Sequence, residues 1–247
     1  MTQSYRERIY AHYASKFQDK VGAFNEQEAI HWGRPYGKSY FKGWLPRDLS
    51  APVLEVACGG GRLLHLLKRL GYTDVSGVDL SPEQVALSRQ VLPEERVHHE
   101  DVIAFLEQHK GQFHLIIGLD IVEHFEKDEC LRFLDACREG LGPGGRLVLQ
   151  TPNAGCFWGA EHRYNDFTHE IGFNPNSLTR ILSLVGFEGV VTRELGPVPH
   201  GVFSSVRWVL WRILRLKLML WNLVEIGDSG SGVFTRNFLA SGRRAAS

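Results

Sequence analysis

Val53-Leu54-Glu55-Val56-Ala57-Cys58-Gly59-Gly60-Gly61-Arg62 is a short apolar run that closes in a glycine turn. About twenty positions on, a second run, Val75-Ser76-Gly77-Val78-Asp79, ends in a carboxylate. A strand, a tight glycine turn, a helix and a strand ending in an acid form a unit that grips a nucleoside. Glycine lets the backbone pass close to a ligand, and the carboxylate accepts from ribose hydroxyls. Arg62-Leu63-Leu64 follow Gly61, so the third glycine of G-x-G-x-x-G is missing. That glycine packs a helix against a strand near a pyrophosphate, so a ligand with a ribose and no pyrophosphate fits better than a dinucleotide.

Outward from this unit the chain alternates between two periodicities. Strands are expected near 52–57, 74–79, 96–99, 113–118, 146–151 and 187–193, with helices near 61–70, 82–91, 102–108, 127–140 and 176–185. Ser81-Pro82-Glu83 opens one helix with a cap and a first-turn proline. Leu141-Gly142-Pro143-Gly144-Gly145 is expected as a loop that stops the fourth, and a late strand is expected from Val233 to Ala240. Such alternation predicts an α/β fold, a mostly parallel sheet with helices on both faces, and a ligand beyond the carboxyl ends of the strands.

Two segments stand outside this pattern. Residues 1–49 read as an N-terminal helical cap: Tyr5, Ile9, Tyr13 and Phe17 recur at helical spacing over 4–20, and an aromatic stretch, 31–41, follows. Residues 50–247 are the main domain, with a helical insertion at about 200–230. The insertion carries Arg207, Arg212, Arg215 and Lys217 among tryptophans and leucines. A bilayer span is excluded, because each central cation costs about 2.5–3.5 kcal/mol. A basic, Trp-rich helix over 206–224 suits contact with a membrane surface; packing on the sheet or on a second subunit is the other reading. Residues 241–247 are expected to fray.

Twenty-eight basic residues balance twenty-eight acidic ones, which argues against bulk nucleic-acid binding. Cys58, Cys130, Cys137 and Cys156 form no C-x-x-C pair and no zinc spacing. They read as reduced thiols, and the first residues carry no apolar signal core, so the expectation is a cytoplasmic protein, peripheral at the inner membrane face if the helix meets lipid.

The run Glu55 to Gly61 resembles the first motif of class I S-adenosylmethionine-dependent methyltransferases, an acid followed by G-C-G-x-G, with Ala57 where that family most often has glycine. The resemblance covers about 50–193 and the final strand. It implies a Rossmann-like sheet of seven strands and S-adenosylmethionine as cofactor. It also implies that Glu55 orients the amino-acid end of that cofactor, and that the backbone of Ala57, Cys58, Gly59 and Gly61 lines it. Asp79 would take the ribose diol, Leu80 would flank the adenine, Asp101 would accept from its amino group beside the Val102 amide, and the backbone at Leu119 would border the sulfonium. Asp101 also suits a helix N-cap, and the two roles are compatible.

Transfer from a sulfonium is an in-line displacement, so alignment does most of the work, and a hydroxyl acceptor also needs a base. Asp120-Ile121-Val122-Glu123-His124 resembles a motif of methyltransferases that include ubiquinone-pathway O-methyltransferases. In some of these an acid-x-x-Glu-His arrangement holds a divalent cation. Asp120, Glu123 and His124 match it; magnesium, manganese or zinc would suit, and local hydrogen bonding is the other reading. Asn153 and the polar stretch Glu161 to Glu170 follow the fifth strand. Asp166-Phe167-Thr168-His169 with Phe173-Asn174-Pro175-Asn176-Ser177-Leu178 is similar to a pattern in methyltransferases associated with bacterial surface polysaccharides. On this reading His169 is the base, Asp166 fixes it or binds substrate, and His124 joins them. Asn153, His162, Arg163 and Tyr164 contact the acceptor, with His162 the second choice as base. His65, His98 and His109 are expected on the solvated surface.

The reading is an S-adenosylmethionine-dependent O-methyltransferase acting on a sugar hydroxyl or a lipid-linked glycan intermediate. The alternatives are a ubiquinone-type O-methyltransferase of a prenylated aromatic hydroxyl, and a non-catalytic membrane or partner adapter that keeps the fold. Homo-oligomer formation stays open.

Overall fold

Residues 5–17 and 23–246 are described in the computed structural model. The opening unit folds as read: β1 (Val53–Val56), the glycine turn, α4 (Arg62–Arg69) and β2 (Val75–Asp79), with β1 and β2 parallel. Among the described residues it is preceded by α1 (Tyr5–Tyr10), α2 (Tyr13–Phe17), α3 (Glu26–Pro35) and a π-helical turn at Tyr36–Tyr40. Alternation continues through α5 (Pro82–Ser88), β3 (Val97–His99), α6 (Val102–Gln108), β4 (Phe113–Leu119), α7 (Lys127–Gly140) and β5 (Leu141–Pro152). Then come α8 (Gly159–Tyr164), α9 (Pro175–Leu184), β6 (Glu188–Glu194), α10 (Val202–Ile226) and β7 (Asn237–Arg243).

The seven strands form one sheet in the order β3-β2-β1-β4-β5-β7-β6. The first five are parallel to their neighbours, and β7 slots between β5 and β6, antiparallel to both. Strand alternation splits the core in two. Leu54, Val56, Ile116, Leu147 and Leu149 face one side with α6, α7 and α9, whereas Val53, Leu115, Ile117 and Val148 face the other with α3 and α4. Both faces are buried, which is why the central strands read as continuous apolar runs.

The structure departs from the sequence reading in five places. The single helix expected over 4–20 is two short helices where it is described, with a turn at residues 11–12. The loop expected at 141–145 is the extended start of β5: Leu141 pairs with Phe113 and Arg146 with Leu115, and the intervening glycines bulge out of register. The late strand begins at Asn237 rather than Val233, because the buried Asn153 amide binds the carbonyls of Val233 and Thr235 and turns that segment into a loop. The tail does not fray where expected: β7 runs to Arg243, and the Arg244 guanidinium bonds the carbonyls of Arg138, Glu139 and Leu141. His98 and His109 are half-buried against Phe105, and His65 lies against Phe24, so none of the three is a freely solvated side chain.

Candidate functional site

A cleft of about 910 Å³ opens at the carboxyl ends of β1, β2 and β4. Its floor is the glycine turn. Gly59 donates its amide to Asp79 Oδ2 at 2.8 Å, and Ser81 donates to Oδ1 at 2.8 Å, so two backbone amides fix the carboxylate at the strand end. Burial pushes Asp79 above the usual carboxylate range despite these bonds. Glu55 is buried beneath it, and Oε2 has no partner among the described residues. Burial first, and then the charge of Asp79, push Glu55 well up. A buried carboxylate oxygen without a partner is costly, so this position suits a ligand that supplies a donor. Asp101 caps α6 through Oδ1, which accepts from Ile103 and Ala104 at 3.0 Å each, and it also lines the cleft.

Ala57, Cys58, Gly59, Leu80, Val102 and Leu119 line the same cleft. Gly61 does not. It sits at φ +80°, and a Cβ there would come within 3.1 Å of the Ser88 backbone. Its smallness therefore serves the packing of the turn on α5. Ala57 has φ +51°, in the left-handed region where glycine is at ease and alanine is strained.

The second half of the cleft holds a cluster assembled from two distant segments. The backbone amides of Glu170 and Ile171 donate to the Glu123 carbonyl at 2.7 and 3.1 Å, and this clamps the loop after α8 onto residues 122–124. His169 and His124 then meet edge to face, ring centroids 4.8 Å apart. Their tautomers follow from their partners. Thr168 has one hydroxyl proton and gives it to Asp166 Oδ1 at 2.6 Å, so it accepts from His124 Nδ1, 2.8 Å away. His169 Nδ1 lies 2.9 Å from the His162 carbonyl, which can only accept. The partners therefore fix the same tautomer for both rings, with the proton on Nδ1 and Nε2 as the acceptor of the neutral ring.

Burial, and then the neighbouring His169, lower His124 to about 4, so it is neutral at ordinary pH. Burial pulls Asp166 up, but the hydrogen bonds from Thr168 and Tyr13 outweigh it and hold the carboxyl below its usual value. Glu123 is 2 % exposed; Oε2 accepts from Thr151 at 2.9 Å and Oε1 has no partner among the described residues. One ligand atom each from Glu123, His124 and His169 lie within 4.8 Å of one another. A buried carboxylate with one oxygen unpartnered, close to two imidazoles, fits a divalent cation. Two imidazole donors favour zinc or iron over magnesium.

Asp120 is not part of that group. It sits at φ +55° and accepts from Gln150 Nε2 at 2.8 Å, while Gln150 accepts from the buried Tyr36 hydroxyl at 2.6 Å. The third member is His169, the residue that the sequence reading takes as the base. Three expected acceptor contacts also lie elsewhere. Asn153 is buried and holds the loop before β7; Arg163 bonds the carbonyls of His169 and Glu170 and so shapes the histidine loop; Tyr164 is 78 % exposed and outside the cleft lining. His162 does line the cleft, with Asn165 and Asp166.

The sequence reading places a cap at 1–49 without saying which of its residues face the cleft. Tyr10, Tyr13 and Trp32 line the cleft from above, and Arg6 spans its edge, bonding both Glu129 oxygens and the His124 carbonyl. Ser15 bonds Glu83 on the nucleoside side, so α1 and α2 strap one wall to the other. Helical spacing marked these helices but could not show which residues point inward.

Comparisons with known proteins agree with this geometry. The family model described as a methyltransferase domain matches residues 10–192. Proteins named ubiquinone biosynthesis O-methyltransferase are similar. That of Cereibacter sphaeroides is 30% identical over 158 residues, 52% of this chain and 61% of the relative. That of Roseobacter denitrificans is 26% identical over 222 residues, 81% of this chain and 86% of the relative. The match to the first two such relatives spans only 61% and 65% of their length. Among solved structures, a SAM-dependent methyltransferase from Archaeoglobus fulgidus has a TM-score of 0.64 at 20% identity, covering 97% of this chain and 100% of that one. A Haemonchus contortus phosphoethanolamine N-methyltransferase has a TM-score of 0.61 at 14% identity, covering 96% of this chain and 61% of that one. These likenesses place the sheet within the Rossmann-like class I methyltransferase fold. Matched over most of its length, the chain belongs to the methyltransferase-domain family.

Proposed function

We propose that this protein is an O-methyltransferase whose acceptor is a hydroxyl deprotonated beside His124 and His169. The donor is S-adenosylmethionine. Asp79, held by the Gly59 and Ser81 amides, receives its ribose diol, and Glu55 lies where the amino-acid end would reach. The single observation that carries the acceptor half is the meeting of His124 and His169, each with Nδ1 engaged by an oxygen, next to Glu123, whose Oε1 has no partner among the described residues. A divalent cation held by Glu123, His124 and His169 would supply Lewis acidity, lowering the acceptor's pKa. Asp166 and Thr168 hold His124 in the tautomer that leaves Nε2 free for the acceptor proton or the metal. The roof formed by Tyr10, Tyr13 and Trp32 excludes water and aligns the acceptor.

For the acceptor, the names of the curated relatives support a phenolic hydroxyl on a prenylated ring. That replaces the sugar hydroxyl as the leading reading. A sugar hydroxyl remains the second reading on one observation: the cleft mouth carries His162, Asn165 and Asp166, which suit a polyhydroxylated ring. Incubation with labelled S-adenosylmethionine and a panel of prenylated catechols, lipid-linked glycans and nucleotide sugars, with and without chelator, separates the two. Label in the catechols, lost with chelator and restored by added metal, is expected. Label only in glycans reverses the order, and no transfer to any hydroxyl overturns the proposal. His169→Ala should cut transfer by roughly 100- to 10,000-fold while sparing affinity for S-adenosylhomocysteine.

A further inference from the structure

Helix α10 is 25 residues long, yet only Ser204 is buried. At about 1.5 Å per residue it is a rod of roughly 37 Å lying along the body. Its inner side is anchored. Arg215 pairs with Glu194 at 3.0 Å and bonds the Gly232 carbonyl, and Trp211 packs so closely on Gly196 that a Cβ there would come within 2.8 Å of its ring nitrogen. With about 3.6 residues per turn, the side opposite Ser204 carries Val206, Val209, Leu210, Ile213, Leu216 and Leu220. All six are 47–63 % exposed. Contiguous exposure of this kind on a soluble body marks a docking surface.

The charges say what docks. Arg207 and Arg212 fall on the two flanks of the apolar stripe, and Lys217 lies within it. All three are exposed, whereas the sole acid of the helix, Glu225, accepts from Trp221 Nε1 at 2.7 Å. Arg215 is consumed by Glu194. An apolar stripe edged by cations on both sides matches the layering of an anionic bilayer, with acyl chains below and phosphates at the level of the arginines. A second copy fits worse. A two-fold pairing of this face sets cations against cations, with no free acid to answer them. The helix is not long and apolar enough to cross a membrane. Its chain also returns to the cleft: beyond Gly232, Arg236 lies over the Trp158 ring at 4.8 Å, and Asn237 lines the cleft.

We infer that the outer face of α10 binds the surface of an anionic lipid bilayer, in the plane of the headgroups, and so holds the cleft at the membrane. This goes beyond the proposed chemistry and does not depend on it. The full chain is sedimented with phosphatidylcholine vesicles, with and without phosphatidylglycerol, at low and high salt. Wild type should pellet with the anionic vesicles and be released by salt. Leu210→Glu with Ile213→Glu should weaken partitioning by roughly tenfold or more. Arg207→Gln with Arg212→Gln and Lys217→Gln should abolish the preference for phosphatidylglycerol while leaving the apolar stripe intact. Unchanged thermal transitions and S-adenosylhomocysteine affinities confirm that the variants are folded, and failure of the methyltransferase reading would show there instead. Wild type left in the supernatant, or variants that pellet like wild type, overturns the inference. So does a wild-type dimer that the glutamates convert to monomer without altering vesicle binding.

Discussion

His124 Nδ1 lies 2.8 Å from Oγ1 of Thr168, a residue 44 positions later in the chain. That hydroxyl gives its proton to Asp166, so it can only accept from the imidazole. A threonine with no chemistry of its own thus selects the tautomer of a cleft histidine. Partners of this kind are worth tenfold to a hundredfold in metal affinity or rate.

Thr168 is therefore a positioning residue. Thr168→Val should lower kcat by roughly 10- to 100-fold, with the affinity for S-adenosylhomocysteine unchanged, and Thr168→Ser should restore most of the loss. Steady-state kinetics and cofactor calorimetry on the three proteins check it. If valine and serine proved equally harmful, a packing role would explain the site better.

Much of this was legible in the chain, and the reason is local. Glu55, the glycine turn and Asp79 lie on one βαβ unit, where periodicity and turn chemistry fix the geometry within a few dozen residues. The His124–His169 meeting depends on two backbone bonds from Glu170 and Ile171 to the Glu123 carbonyl, which no side-chain pattern records. For the same reason Asp120 is expected as a ligand only from the family resemblance, and its left-handed backbone and Gln150 turn it to another task. Asn153 and Arg163 looked like substrate contacts because polar residues near a strand end usually are. Here they satisfy carbonyls of loops that the sequence does not show to be close. The insertion helix was legible as a helix, but only its anchoring by Arg215 and Trp211 reveals which side is left outward.

The cleft carboxyls and His124 oppose each other in acid. Burial raises Asp120 to about 6, so between about pH 4 and 6 the native state holds a proton there that the unfolded chain has lost, and stability falls as pH rises. His124 is lowered to about 4, so over the same range the unfolded chain binds the extra proton and stability rises with pH. Each contribution is on the order of 3 kcal/mol, and the two have opposite signs. Asp120→Asn keeps an acceptor for Gln150 and removes the falling contribution. Its stability should climb more steeply than wild type across that range, measured by urea unfolding at several pH values. Parallel curves would show that Asp120 is ionised in the native state.

Ala57 stands in the left-handed region, which costs a non-glycine residue about 1–2 kcal/mol. Ala57→Gly removes that strain but loosens the unfolded chain by about 0.4–1 kcal/mol. The net expectation is a gain of roughly 0.5–1 kcal/mol, read as a raised thermal midpoint with cofactor affinity unchanged or improved. A lowered midpoint would mean that the turn needs the methyl group for packing more than it needs relief.

Glu55 links folding to ligand capture. Its Oε2 is buried and unpaired, and burial together with Asp79 keeps its carboxyl protonated well above the usual range. A ligand ammonium brought beside it favours the charged form, so its pKa falls on binding and a proton leaves. The enthalpy of S-adenosylhomocysteine binding should therefore vary with the ionisation enthalpy of the buffer, with a slope that reports proton release. Glu55→Gln keeps the shape and the acceptor but has no proton to release. Its slope should vanish, and affinity should drop by roughly 10- to 100-fold as a charged hydrogen bond becomes neutral. A wild-type enthalpy that is the same in every buffer would place the ammonium elsewhere and leave Glu55 as a structural acid beneath Asp79.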